Sequence, residues 1–161
     1  MNLNTLITSL KAKGTTKVAS KKGFVYKTPD NWVDLQNNYF PKGLRGDSFT
    51  IKIESFEHHE EIEELGIANI NIEFLADSKN DLYGNKFNEM QWIVHDMCQI
   101  NEAFLQRKNQ YKECEFEYFA DMVLVSFNIS LAVDTRHIEW ESYTPPSGGT
   151  AFREISNTTI T

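Results

Sequence analysis

The stretch SFTIKIE, residues 48–54, decides the fold class. Phe49, Ile51 and Ile53 alternate with Ser48, Thr50, Lys52 and Glu54, the period of a strand with one dry face and one wet face. A second alternating run extends from about Ile67 to Ala76, with Ala68, Ile70, Ile72 and Phe74 on one side and Asn69, Asn71 and Glu73 on the other. Between them stands a charged connection, His58-His59-Glu60-Glu61-Ile62-Glu63-Glu64, ending at Leu65-Gly66. Two neighbouring strands joined by a polar tip predict an antiparallel hairpin.

Two further alternating runs lie downstream. Cys114, Phe116 and Tyr118 alternate with Glu113, Glu115 and Glu117; residues 122–133 place Val123, Val125, Phe127, Ile129, Leu131 and Val133 opposite Ser126, Asn128 and Ser130. Between the hairpins the period changes. Phe87, Met90, Ile93, Val94, Met97, Cys98, Phe104 and Leu105 recur at spacings of three and four, which predicts a helix over about 86–107. Asn85 is its expected cap, with Glu89 near its start and Arg107 and Lys108 near its end in accord with the helix dipole. Such a helix would be roughly 33 Å long and would cross a whole sheet face.

Upstream, Leu3, Leu6, Ile7 and Leu10 form one stripe, predicting a short amphipathic helix over 1–11. Asn2 or Asn4 is its expected cap and Gly14 its expected end. Residues 14–23 read as a mobile basic loop, residues 24–26 as a short strand, Pro29-Asp30-Asn31 as a turn or a helix start, and residues 37–46 largely as loop. The expected architecture is α+β: two layers, a mainly antiparallel sheet of about four to five strands, a long helix across one face and a short N-terminal helix. Residues 1–135 form one domain in this reading, and residues 136–161, with Thr144-Pro145-Pro146-Ser147-Gly148-Gly149, an extended arm.

The 161 residues suit a single domain, and 40% hydrophobic content with eleven Phe, six Tyr and three Trp supplies a core. Cys98 and Cys114 are the only cysteines; they read as reduced, mostly buried thiols, although one bridge remains open. No leader-like apolar block stands at the N-terminus, and no run of about 18 apolar residues could span a membrane. Synthesis in the cytoplasm is the expectation. The net charge of −7 is divided by position: residues 1–29 carry six lysines and no acid, whereas residues 30–161 carry ten basic and 23 acidic residues. A basic end on an acidic body favours association with a complementary surface, including a second copy. The acidic body disfavours general wrapping of DNA.

The motifs that invite chemistry are weak. His58 and His59 beside Glu60, Glu61, Glu63 and Glu64 offer metal-ligand types, but adjacent residues on a strand point to opposite faces, so a solvated hairpin tip is preferred and no metal is assigned. Arg45-Gly46-Asp47 reads as a turn before the first strong strand. Asn128 and Asn157 head glycosylation sequons without a secretion signal. Asp77, Asp81 and Asp96 could pair as catalytic carboxylates, but turn and helix-surface acids seldom do. No nucleophile elbow or phosphate-binding glycine motif is present. The residues suited to contact are Lys11, Lys13, Lys17, Lys21 and Lys22 at the basic end, and Trp92, Trp140 and Tyr143, whose aromatic area lies near polar residues.

A short N-terminal helix, Arg45-Gly-Asp-Ser-Phe-Thr-Ile-Lys-Ile53, a charged hairpin, Ile70-Asn-Ile-Glu-Phe74, a long helix and a final long hairpin together resemble the tail terminator (tail completion) proteins of tailed phages. The resemblance covers roughly residues 1–135; the Pro-Pro-Ser-Gly-Gly segment departs from it. It implies a hexameric ring of identical copies in the virion, seated on the tail-tube protein and joined to the head connector or neck, with no cofactor and no catalysis. It further implies that the hairpin bearing Glu60, Glu61, Glu63 and Glu64 faces the lumen, where negative charge lets DNA pass without sticking. The basic segment, residues 11–27, would meet the acidic body of an adjacent copy. Alternatives are another neck or tail component, such as a head-completion or tail-tube protein, and a small metal-dependent enzyme built on His58 and His59.

Overall fold

The computed structural model describes residues 3–17, 23–58, 65–77, 82–99, 110–119 and 121–134. Its elements are α1 (Leu3–Thr15), β1 (Val25–Tyr26), a 3-10 turn (Pro29–Asn31), β2 (Ser48–His58), β3 (Leu65–Asp77), a π-turn (Leu82–Lys86) running into α2 (Phe87–Cys98), β4 (Gln110–Tyr118) and β5 (Met122–Asp134). The five strands form one sheet in the order β1-β2-β3-β5-β4. All pairings are antiparallel except β1 with β2. The fold is the α+β arrangement expected, with both helices on one face of a mainly antiparallel sheet.

The alternating residues explain which face is covered. The register sets Phe49 opposite Phe74 and Ile51 opposite Ile72, and Ile72 opposite Phe127 and Phe74 opposite Val125. Every one of these side chains is buried, together with Leu6 and Leu10 of α1 and Met90, Ile93, Val94 and Met97 of α2. Phe74 sits at the centre, edge-on to Phe24 at 5.0 Å and to Phe127 at 5.5 Å, and stacked on Phe49 at 5.8 Å. Fully burying each such ring is worth roughly 1.5–3 kcal/mol, so this aromatic row is the main fastening between sheet and helices.

Several local expectations need correction. Gly14 does not end α1; it lies buried in its last turn, where an added Cβ would fall within the Phe49 ring. The residue is small because the helix approaches the sheet there, and the chain continues to Thr15 before turning. Asn85 does not cap α2, because the π-turn carries the helical path through it and Lys86 already has helical angles. Glu89 instead accepts the backbone N–H of Gly23 at 2.8 Å, tying the start of α2 to the chain entering β1. α2 closes at Cys98, with Gln99 N–H on the Asp96 carbonyl; the expected continuation over 100–107 lies outside the described residues, as does the arm.

The opposite face is divided. At one end the connection between β1 and β2 folds across the sheet, and Trp32, Val33 and Leu44 pack on Leu75 and Leu124 as a second small core. Beyond it the face is polar. The Asn71 amide donates to Ser126 Oγ at 2.6 Å and Asn128 Oδ1 at 3.1 Å, and Ser130 Oγ donates to Asn69 Oδ1 at 2.6 Å. Asn69 in turn donates to Ser55 Oγ and Glu57 Oε2.

Candidate interaction surfaces

At the β1 side of the sheet, residues 25 and 26 are the whole outer strand. Lys27 N–H donates to the Phe49 carbonyl and Val25 N–H to that of Asp47; β1 therefore covers only the first positions of β2. Val25 is 59% exposed. The Lys11 ammonium lies 4.9 Å from the centre of the Tyr26 ring, which joins the last turns of α1 to this edge. Burial, and then the nearby Asp30 carboxylate, raise the Tyr26 phenol above its ordinary pKa. Lys11 and Lys17 are exposed, and Lys13 and Lys27 are half-buried. Lys11, Lys17 and Lys27 of the predicted basic segment are thus gathered on the β1 side. Lys21 and Lys22 lie outside the described residues.

At the opposite side β4 is the terminal strand among the described residues. Glu115 and Glu117 are exposed on the face away from the helices. On the helix face Phe116 packs against Phe87 at 5.2 Å and stacks on Tyr118. Tyr83, projecting from the π-turn, brings its hydroxyl against that of Tyr118, and that contact raises the Tyr118 phenol. Tyr83 is 67% exposed and Tyr118 56%. A π-turn often re-aims a side chain at a functional surface, and here it sets Tyr83 beside an open strand. Sequence reading took Glu115 and Glu117 as an ordinary wet face and gave no role to Tyr83; the alternation of acids on one strand was the available signal.

The other predicted residues fall as follows. His58 ends β2, exposed, with its ring edge-on to Phe56. His59, Glu60, Glu61, Glu63, Glu64, Asp81, Trp140, Tyr143 and Asn157 lie outside the described residues. Trp92 projects from α2 and is 63% exposed. Cys98 and Cys114 form no disulfide; the first is buried and the second half-buried. Arg45-Gly46-Asp47 forms the expected turn: Asp47 takes a left-handed φ of 61°, Ser48 Oγ donates to the Arg45 carbonyl, and Lys86 pairs with Asp47 at 2.8 Å. Asn128 lies within β5. Among the described residues no three His, Cys, Asp or Glu side chains gather where a metal could sit, and no helix is long and apolar enough to cross a membrane.

An open groove of about 460 Å³ lies on the face away from the helices, lined by Pro29, Val33, Asp34, Lys52 and Glu73 among others. Its polar groups are already engaged. Glu73 Oε1 accepts from the Trp32 indole at 2.8 Å and from Lys52 at 2.9 Å. The side-chain amide of Asn37, then its backbone N–H, hold the Asp34 carboxyl below its usual range. Such a groove fastens the loop to the sheet and presents no free acid or base. The chain matches no protein-family model and no curated protein.

Proposed function

We propose that this protein is a structural component of a tailed-phage virion: a tail terminator whose copies form a ring capping the tail tube and joining it to the head connector. What supports the reading most is the order of elements: a short N-terminal helix, a hairpin opening with residues 45–53, a helix across the sheet and a closing long hairpin, the order on which the resemblance rests. A second support is the placement of charge and apolar surface. Charged and aromatic groups are exposed at both edges of the sheet, Lys11 and Lys17 at one and Glu115 and Glu117 with Tyr83 and Tyr118 at the other, as suits a subunit that meets further copies of itself. The reading assigns the chain no cofactor, no metal and no reaction.

The experiment is removal of the chain during particle assembly. A terminator stops growth of the tube, so its loss should give tubes of uncontrolled length that fail to join heads. Tails of normal length, joined to heads, would contradict the reading. Neutralising Glu60, Glu61, Glu63 and Glu64 together should slow DNA ejection more than it harms assembly if that hairpin lines the lumen; unchanged ejection would remove the lumen assignment and leave the ring intact.

A further inference from the structure

Resting on that reading, we propose that the join between copies is a head-to-tail continuation of the sheet, with β4 of one copy docked along the β1–β2 edge of the next. Among the described residues, backbone is open on both sides. Phe119 N–H closes the last turn on the Met122 carbonyl, so along β4 the alternation of an antiparallel ladder directs the N–H and C=O of Tyr118, Phe116 and Cys114 away from β5. On β1 the N–H groups of Val25 and Lys27 turn toward the Asp47 and Phe49 carbonyls of β2, and the same alternation directs the N–H and C=O of Tyr26 outward, opposite Phe116 of an added β4. Because β2, β3, β5 and β4 reverse direction at each step, β4 runs opposite to β2. A copy added in the same orientation therefore makes an antiparallel pair.

The side chains match face by face. On the face away from the helices, exposed Glu115 and Glu117 would meet Val25 and Lys27, since Val25 is paired with Ser48 on that face. Lys17 lies close by, its side chain next to Gly23 just before β1. On the helix face, Tyr83 and Tyr118 would meet Tyr26 with the Lys11 ammonium above it, apolar area beside a cation. Asp30 is the acid near Tyr26; Glu54 and Glu57 lie past the irregularity that follows Ile53. The alternatives by symmetry are disfavoured. Joining β4 to β4 sets glutamates against glutamates, and β1 to β1 sets lysines against lysines, and like charges directly opposite destabilise a strand pair. Two different edges on one subunit give a heterologous contact, the kind that closes into rings.

The test uses two full-length variants, one with Glu115→Lys and Glu117→Lys, the other with Lys17→Glu and Lys27→Glu, followed by sedimentation. The wild-type protein should self-associate, more weakly as salt is raised. Each variant alone carries one sign of charge on both edges and should associate at least about tenfold more weakly. Mixed, the two should recover assembly as alternating copies. A wild-type protein that stays monomeric, a variant that associates like wild type, or a mixture that does not recover would each overturn the seam. Circular dichroism checks that each variant is folded; should one not be, Glu115→Gln with Glu117→Gln replaces it, and association indifferent to both that change and salt overturns the seam. A seam that forms in pure protein while the chain proves absent from tails would remove the terminator reading alone. A chain found at the tail end that fails the mixing test would remove the seam alone.

Discussion

The two faces of the sheet are held by different forces. The helix face is dry and aromatic: Phe74 touches three other phenylalanine rings, and nothing polar interrupts the row. The other face is fastened by a small core around Trp32 and then by hydrogen bonds among Asn69, Asn71, Ser126, Asn128 and Ser130. Apolar burial stabilises in proportion to area, whereas a hydrogen bond traded against water nets only about 0.5–1.5 kcal/mol. The helix face therefore sets the stability of the domain. The opposite face sets register and leaves a surface that water tolerates.

That contrast can be broken most forcefully at its centre. Phe74→Ala should cost about 3–5 kcal/mol in chemical denaturation, since it removes the ring around which Phe24, Phe49 and Phe127 are arranged; a loss below 1 kcal/mol would show that the row is not the fastening. Gly14→Ala should come next, at about 1–3 kcal/mol, because the new methyl is driven into the Phe49 ring where α1 meets the sheet. Alanine is otherwise the better helix former by about 1 kcal/mol, so a stabilised variant would mean that α1 is free to move off. On the polar face Asn71→Ala should cost about 1–3 kcal/mol through the partners it leaves unpaired. The smallest effect is expected at Thr50, whose buried hydroxyl has no hydrogen-bond partner among the described residues. Thr50→Val keeps the shape and removes the orphan, so the thermal midpoint should stay level or rise; a clear fall would reveal a partner for that hydroxyl.

How much of this was legible in the sequence differs between the same two faces. Residues that alternate, or recur at three and four, report a single buried side, and that side was read well: Phe49, Ile72, Phe127, Met90 and Leu6 all fall where the periods place them. Leu75 and Leu124 break the pattern from the opposite side, and a reading that grants each strand one dry face assigns them to solvent. Their cover, Trp32 and Leu44, comes from a segment whose Pro and Gly residues announced only a loop. The alternation quoted for the first strand runs through Glu54, whereas β2 continues to His58. The irregularity after Ile53 shifts the phase, so that Phe56 returns to the helix face three residues after Ile53 rather than two. Helix ends were read from residue type alone, and Gly14 and Asn85 misled because a close approach and a π-turn use the same residues as a stop or a cap. Of the surfaces, the lysines of the basic end were visible as composition. Tyr83 and Tyr118 were not, since their pairing depends on how the π-turn meets the sheet edge.

The account rests finally on where the chain stands in a particle. Imaging purified virions, with the chain marked by a bound antibody fragment, should show a single ring of the marker at the head-proximal end of the tail tube. Label spread along the tube, confined to the capsid, or absent from the virion would contradict a terminator whose copies join edge to edge.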